Sequence, residues 1–332
     1  MAVLFSLPLS TLRPRTTLRP LATLARAAPI VPAIKLPHGL THQTPLVESL
    51  PLSAATGCQV LLKMDALQPS GSFKDRGMAY MCAALQSRGV TDLISSSGGN
   101  AGLAASAAGR KLGMRVRVVV PTTTKPIMIE KMRAHGAEVE VHGANWNAAD
   151  ELARELVGAS GGAAAYVPPY DDPLLWEGHS HGWSETTVLT AETDGAACFA
   201  KALAAGEPVT LAGITSGPLT CRRAVRLELG RPDGARRPAD GGAQGSRERG
   251  ADGWQRCHVA YTVSDAEAVG ACASLLDDHR VLVEPACGAA LALAYSPRQR
   301  EALRRFETVV VVVCGGGGVT HEILSQWKAD LL

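Results

Sequence analysis

Several features that would assign the chain to a protein class are weak or missing. Basic and acidic residues almost balance, with 33 Lys and Arg against 31 Asp and Glu in 332 residues, which gives no reason to expect nucleic acid or a membrane as a partner. No apolar run is long enough to span a bilayer. The eight cysteines include no CxxC pair, so neither a zinc site nor a disulfide framework is predicted, and single buried thiols are favoured.

Acidic residues are missing altogether from the N-terminal segment. Residues 1–40 contain no Asp or Glu, and the first acid is Glu48. Four arginines lie in the segment among Ser, Thr, Leu and Pro. Because organelle transit peptides share this composition, residues 1–39 are predicted to be a transit peptide for a mitochondrion or a plastid. The alternative is a disordered tail on a cytoplasmic protein.

Apolar residues are also scarce in residues 216–256. Arg, Gly, Pro and Asp dominate this stretch, and no hydrophobic period is visible. Such a composition buries too little apolar surface to offset the entropy of ordering the backbone. A disordered insert is therefore predicted. The alternative, a basic anion-binding loop, is disfavoured by the interspersed acids.

The remainder of the chain alternates between short apolar strands and helical patterns. The predicted strands are residues 60–64, 92–96, 114–120, 137–142 and 309–313, and the predicted helices are residues 78–86, 102–112, 126–135 and 147–157. This alternation predicts an α/β fold with a parallel sheet and right-handed crossovers. Residues 309–313 are all Val, which is typical of a strand buried on both faces.

Lys74 follows a glycine-serine turn and precedes a helical pattern. Pro69 and Gly71 interrupt the chain before it, and Ser70 or Ser72 is predicted to cap the helix. The positive end of the helix dipole and partial burial both lower the pKa of a lysine amine. The pattern therefore indicates a nucleophilic amine. The alternative from the local sequence alone is an exposed surface lysine.

Two further stretches carry possible ligand contacts. SSSGGNAG at residues 95–102 follows a predicted strand and opens a helix, and the N–H groups of such a helix N-terminus bind anions. Its GGxxG spacing differs from the GxGxxG of dinucleotide-binding proteins. Cys314 ends the predicted strand 309–313, and α/β folds bind ligands at the carboxyl ends of strands.

Together these stretches resemble the pyridoxal-phosphate enzymes of fold type II, the tryptophan-synthase-β type. The chain is most similar to the serine/threonine dehydratases of the animal L-serine dehydratase kind. The resemblance covers about residues 40–179 and 263–324, with fragments between. The motifs that carry it are SFKDRG at residues 72–77, SSSGGNAG, YVPPYDDPLLWEGH at residues 166–179 and VLVEPACGAALALAYS at residues 281–296.

The resemblance implies a two-domain α/β fold with parallel and mixed sheets flanked by helices. Residues 40–80 and 166–332 would form a large domain, interrupted by the disordered insert, and residues 81–165 a small domain. A cleft between the domains would hold Lys74 and the SSSGGNAG loop near Cys314. A homodimer is also implied.

The resemblance assigns a role to each candidate site residue. Lys74 would bind pyridoxal 5'-phosphate and, once released by substrate, remove the α-proton. Phe73 would pack against the cofactor ring, Asn100 would donate to its phenolic oxygen, and Cys314 would face its pyridine nitrogen. The substrate carboxylate would lie on a loop whose members are Ser97, Gly98, Gly99 and Asn100.

The expected activity is that of an L-serine and L-threonine ammonia-lyase, giving pyruvate or 2-oxobutanoate and ammonia. Cys314 lacks the negative charge that would keep the ring nitrogen protonated, which suits elimination of a β-hydroxyl. Glu192, Ala196 and Cys198 match a segment that binds a monovalent cation in the family. Cys198 stands where the family usually has a hydroxyl, and the segment reads alternatively as the start of a helix.

One part of the family pattern is missing. A strand, a glycine-rich loop that cradles the cofactor phosphate, and a helix are expected between the WEGH motif, which ends at His179, and Ala191, but few residues separate these positions. The four glycines at residues 315–318 match a different turn of the family. The chain is therefore expected to be impaired as an enzyme. The alternatives are a catalytically inactive protein, a truncated gene model, and a racemase or threonine-synthase-like enzyme of the same fold.

Overall fold

The structure, a computed structural model, describes residues 2–7, 36–180, 187–207, 209–211, 213–216, 244–249 and 255–332. These residues form two sheets with helices packed against them, which confirms the predicted α/β class. The strands are β1 Ala2–Leu7, β2 Leu46–Glu48, β3 Gln59–Lys63, β4 Asp92–Ser95, β5 Arg115–Val120, β6 Glu138–Val141, β7 Ala164–Tyr166, β8 Thr187–Thr193, β9 Gln244–Arg249, β10 Gln255–Val263 and β11 Thr308–Val312. The helices are α1 Leu50–Thr56, α2 Lys74–Ser87, α3 Asn100–Leu112, α4 Pro126–Ala134, α5 Trp146–Ala159, α6 Pro173–His179, α7 Cys198–Ala205, α8 Asp265–His279, α9 Pro285–Tyr295 and α10 His321–Leu331.

The smaller sheet has four strands in the order β6-β5-β4-β7, and every neighbouring pair is parallel. Helices α2 and α3 pack together against it through small and apolar residues such as Met78, Ala104 and Ala105, all buried. Leu174 and Leu175 of α6 join the same core. The helix that begins at Lys74 is thus fixed by the core of the smaller sheet.

The larger sheet has seven strands in the order β2-β3-β11-β1-β8-β10-β9. β3 pairs with β11 in parallel, and β8 pairs with β10 in parallel. β1 lies between these two pairs and is antiparallel to both β11 and β8. All five residues of β11 are buried, as its run of valines predicted.

The core of the larger sheet is formed by β3, β11, α8 and α9. Leu62, Val311, Leu275 and Leu291 are each 0% exposed. Ser264 starts α8 with a capping box, in which its hydroxyl accepts from Glu267 N while the Glu267 carboxylate accepts from Ser264 N. Because this core lies directly behind β11, the carboxyl end of that strand has a rigid support.

The predicted strands and helices between residues 60 and 157 are confirmed, with ends shifted by a few residues. The division into domains at residues 80 and 165 stays a prediction. Of the predicted insert, residues 217–243 and 250–254 lie outside the described residues, and residues 244–249 form β9. Of the predicted transit peptide, residues 8–35 lie outside them, and residues 2–7 form β1. In the described ranges, we find no helix with the length and apolarity to cross a membrane.

Candidate active site

Lys74 is the first residue of α2, which begins earlier than the predicted helix 78–86, and a tight turn precedes it. The prediction that Ser70 or Ser72 caps this helix is wrong, because Phe73 is the N-cap and makes no side-chain capping bond. The hydroxyl and the backbone N–H of Ser70 instead donate to the Asp75 carboxylate at 2.7 and 2.8 Å. Asp75 therefore closes the turn that positions the lysine.

The lysine turn is bonded to the chain that leaves β11. Phe73 N donates to Cys314 O at 3.0 Å, and Gly316 N donates to Gly71 O at 3.0 Å. Gly315 has φ of 83°, and a Cβ at this position would lie 2.2 Å from Gly71 O. Because a side chain does not fit here, glycine is what allows the lysine turn and the end of β11 to meet, as the predicted site requires.

The Lys74 amine lies among a carbonyl and two aromatic rings. Its Nζ donates to Pro169 O at 2.9 Å and lies 5.1 Å from the ring centroids of both Phe73 and Tyr170. The Phe73 ring packs against the His179 ring at 5.2 Å. Phe73 is thus beside the amine, where the resemblance expects a ring to pack on the cofactor.

Ser97, Gly98 and Gly99 join the end of β4 to the start of α3. Gly99 is the N-cap of α3, and no side chain caps it, so the first N–H groups of the helix point out of this loop. A Cβ on Gly98 would lie 2.4 Å from Thr124 Oγ1, and one on Gly102 would lie 1.9 Å from Ser97 O. The small residues therefore let the backbone turn sharply enough to form an anion site.

Asn100 is hydrogen-bonded to Glu284, which was not predicted as a site residue. Asn100 Nδ2 donates to Glu284 Oε2 at 2.8 Å, and Gly317 N donates to Asn100 Oδ1 at 2.7 Å. Glu284 Oε1 accepts from Gly318 N at 2.7 Å. The sequence signal for Glu284 is that it is the single acidic residue in the mostly apolar stretch at residues 281–296. The pair ties the SSSGGNAG loop to the end of β11.

The glycines at residues 315–318 use their amides within the protein. Gly316 N donates to Gly71 O, Gly317 N to Asn100 and Gly318 N to Glu284. Lys125 and Lys131 donate to the carbonyls of Gly318 and Gly317 at 2.9 and 2.6 Å. This turn therefore joins the two sheets, and three of its four amides are engaged with protein acceptors instead of facing a ligand.

The Cys314 thiol is held in its neutral form. A hydrogen bond with the Cys287 thiol and burial both raise the pKa of Cys314 well above its usual value. Burial likewise raises the pKa of the neighbouring Cys272 to about 12. The end of β11 thus presents an uncharged sulfur, as the prediction for Cys314 requires.

Glu192, near the carboxyl end of β8, binds the start of α7. Its carboxylate accepts from Phe199 N at 3.2 Å, from Ala200 N at 2.8 Å and from the Cys198 thiol at 3.5 Å. Ala196 lies in the short 3-10 turn between them. In the part of the chain that the structure describes, no cluster of three or more His, Cys, Asp or Glu could hold a metal ion. The geometry agrees with the alternative of a helix start, and the cation site stays a prediction.

The site fits one end of pyridoxal phosphate better than the other. A lysine amine, an aromatic ring, a carboxamide and a neutral thiol suit an aldehyde-bearing pyridine ring. For the phosphate, α6 ends at His179 and β8 begins at Thr187. The intervening residues are too few for a strand, a glycine loop and a helix, so the described residues offer no cradle at that point.

Comparisons with known proteins agree with this geometry. The family described as "Pyridoxal-phosphate dependent enzyme" matches residues 39–182 and 180–315. The human protein named serine dehydratase-like is 36% identical over 335 residues, covering 87% of this chain and 94% of that protein. The bovine L-serine dehydratase/L-threonine deaminase is 36% identical, covering 87% and 95%.

A solved structure gives the same result. The fungal L-serine ammonia-lyase from Rhizomucor miehei superposes with a TM-score of 0.72 at 27% identity, covering 88% of this chain and 99% of that one. The alignment with the human relative runs over 335 residues although it takes in 87% of a chain of 332. That relative therefore carries residues with no counterpart in this chain, in agreement with a missing segment.

Asp75 predicts a pH dependence of stability. Burial raises the pKa of its carboxyl to about 6 in the folded protein, from a usual value of 3.8. Because the folded form binds the proton more tightly, this contribution to stability is complete below about pH 4 and is lost as the pH rises through 6. It amounts to about 3 kcal/mol at most.

Urea unfolding between pH 4 and 7 tests this contribution. Asp75→Asn should flatten the decline in the free energy of unfolding across this range, whereas Asp277→Asn at an exposed position should leave it unchanged. Equal slopes in Asp75→Asn and the unmodified chain would contradict the role given to Asp75.

Gly102 and Gly158 provide a matched pair of helical glycines. A Cβ at Gly102 meets Ser97 O at 1.9 Å, whereas one at Gly158 meets nothing within 4 Å. Gly102→Ala should destabilise the protein by about 1–3 kcal/mol and displace the SSSGGNAG loop. Gly158→Ala should be neutral or stabilise by up to about 1 kcal/mol. Thermal unfolding of both variants tests this, and equal stability would show that the loop has room to move.

Proposed function

The chain belongs to the family of pyridoxal-phosphate-dependent enzymes, and we propose that it is an L-serine and L-threonine ammonia-lyase. It would convert serine to pyruvate and ammonia, and threonine to 2-oxobutanoate and ammonia. The names of the human and bovine relatives and of the fungal structure support this choice. The observation that carries it is the junction of the Lys74 turn with the end of β11 and the Asn100 loop.

Bound pyridoxal phosphate supplies an aldehyde for the amino group and a ring that withdraws electrons from the α-carbon. Lys74 supplies the amine that holds this group and, when released, the base that takes the α-proton at Nζ. The Pro169 carbonyl, 2.9 Å from Nζ, accepts from the amine and fixes its position. Phe73 and Tyr170, both close to Nζ, keep water from its sides.

The SSSGGNAG loop binds the substrate carboxylate. Its first-turn N–H groups and the dipole of α3 favour a negative charge at Ser97, Gly98 and Gly99. Asn100 holds the loop against the β11 end through Glu284 and Gly317. Asn100 Nδ2 carries two N–H donors: one donates to Glu284, and the second would donate to the cofactor's phenolic oxygen, so Glu284 positions this carboxamide.

The neutral Cys314 thiol favours elimination over the competing reactions. A carboxylate at this position would keep the ring nitrogen protonated and strengthen electron withdrawal, whereas a neutral thiol does not. Loss of a β-hydroxyl needs less stabilisation of the α-carbon charge than racemisation does. This weighs against the racemase alternative, and substrate profiling with L- and D-serine separates the two.

A second candidate function is that of a catalytically inactive binding protein. The observation that favours it is the engagement of the glycine amides at residues 316–318 with protein acceptors, together with the short connection between α6 and β8. Spectra taken after addition of pyridoxal phosphate distinguish the candidates, because an inactive protein that has lost the site leaves the cofactor spectrum unchanged.

Three finer proposals accompany the function. The family resemblance supports a homodimer, the composition of residues 1–39 supports transport to an organelle, and the match at Glu192, Ala196 and Cys198 supports a monovalent cation. Light scattering, subcellular fractionation and activity in potassium against lithium salts test them in that order.

Lys74→Ala should abolish attachment of the cofactor and lower pyruvate formation by about 10³-fold or more. Lys63→Ala is the control, because burial and the nearby Arg76 lower the pKa of the Lys63 amine, which makes it the alternative nucleophile. Reduction with borohydride followed by peptide mapping should find the cofactor on Lys74 in the unmodified chain and in Lys63→Ala. A cofactor adduct mapped to Lys63, or retained in Lys74→Ala, would overturn the lysine assignment.

The unmodified chain should bind pyridoxal phosphate weakly. Each charge-assisted hydrogen bond to a phosphate contributes about 1.5–3 kcal/mol, so the loss of two or three weakens binding at least about 100-fold. Inserting a strand, glycine loop and helix from a relative between His179 and Ala191 should restore both affinity and pyruvate release. Tight binding and full activity without the insertion would show that another part of the chain holds the phosphate.

A further inference from the structure

One strand in the middle of the larger sheet, β1, comes from a part of the chain that is distant in sequence from the strands on either side of it. β11 pairs with β3 on one side, and β8 pairs with β10 on the other. β8 and β11 do not pair with each other, because β1 lies between them. With strands about 4.8 Å apart, β8 and β11 are separated by roughly twice that distance. We call the position between them the β8–β11 slot.

The strand in this slot comes from the N-terminal segment. Residues Ala2 to Ser6 pair with β8 from Ala191 to Thr187, and residues Leu4 to Leu7 pair with β11 from Val311 to Thr308. β1 is antiparallel to both neighbours, whereas β3 with β11 and β8 with β10 are parallel. A strand that is antiparallel to both neighbours is not joined to either of them by the helix crossover that connects parallel strands.

Both neighbours of the slot are buried, so the slot is costly to leave open. Val309 and Val311 of β11, and Leu189 and Ala191 of β8, are each 0% exposed. Without β1, one row of backbone N–H and C=O groups on each of these strands would lose its partners inside the core. Two facing strand edges would also become available for pairing with other chains.

We infer that residues 2–7 are a built-in filler strand of the folded protein, required to close the β8–β11 slot. The connection between α6 and β8 spans residues 180–186, too few for a strand together with the crossover that parallel pairing needs, and the N-terminal segment takes this position. Residues 2–7 also lie inside the predicted transit peptide. Cleavage of that peptide would remove β1 from the folded protein, so the segment cannot be both a removed transit peptide and a strand of the mature sheet. Cleavage after Leu7 would remove β1 and leave one edge of β11, the strand before Cys314, without a partner.

A proline in β1 tests the inference in the full chain. Phe5 lies in the part of β1 that pairs on both sides, and proline there removes a ladder N–H and blocks close pairing. Thr17→Pro is the matched control, outside β1 in a stretch that already contains prolines. The readout is amide hydrogen exchange at Val188–Ala191 in β8 and at Val309–Val311 in β11.

Phe5→Pro should speed amide exchange at least about tenfold in both β8 and β11 and lower the urea midpoint, and Thr17→Pro should change neither. A Phe5→Pro chain that fails to fold while Thr17→Pro folds supports the inference equally. Exchange that is as slow in Phe5→Pro as in the control would overturn it.

Limited trypsin digestion of the unmodified chain gives an independent readout. Cleavage after Arg15 separates β1 from the remainder of the protein without changing a residue. The fragment carrying residues 2–7 should co-elute with the folded remainder in gel filtration. Release of the fragment with unchanged exchange in β8 and β11 would overturn the inference, and neither readout depends on cofactor or on activity.

Discussion

The site depends on the contact between two glycine-containing turns, the one that precedes Lys74 and the one that follows β11. The lysine turn and the chain leaving β11 meet through the bonds from Phe73 N to Cys314 O and from Gly316 N to Gly71 O. A side chain at Gly315 would strike the Gly71 carbonyl, so the approach exists because that residue is glycine. Everything proposed for the amine, the thiol and the Asn100 loop follows from this contact.

Hydrogen bonds and an ion pair of polar side chains connect this contact between the turns to both sheets. Asn100 and Glu284 bind the amides of Gly317 and Gly318, while Arg76 forms a two-point ion pair with the buried carboxylate of Asp65 at 2.7 and 2.8 Å. Charge-assisted bonds of this kind have defined geometry as well as energy. They explain how a lysine at a helix start and a cysteine at a strand end, 240 residues apart in the chain, keep a fixed relation.

The sequence predicted the local parts of this arrangement and missed the long-range ones. Lys74 at a helix start, the small-residue loop before α3 and the buried β11 were all visible in spacing and composition. Glu284 was not selected, because its role depends on glycine amides that approach it only in the folded chain. Ser70 was expected to cap α2, but its bonds to Asp75 close the preceding turn. The position of β1 was not foreseen, since pairing between distant strands leaves no local pattern.

Among the residues that the structure describes, the site suits the aldehyde end of pyridoxal phosphate and offers no cradle for the phosphate at the connection between α6 and β8. Titration of the full chain with pyridoxal phosphate and with pyridoxal, which has no phosphate, tests it directly. With no cradle, the two dissociation constants should agree to within about tenfold, since each lost charge-assisted bond removes about 1.5–3 kcal/mol. A preference of about 10³-fold or more for pyridoxal phosphate would contradict the claim, because it requires several donors on the phosphate.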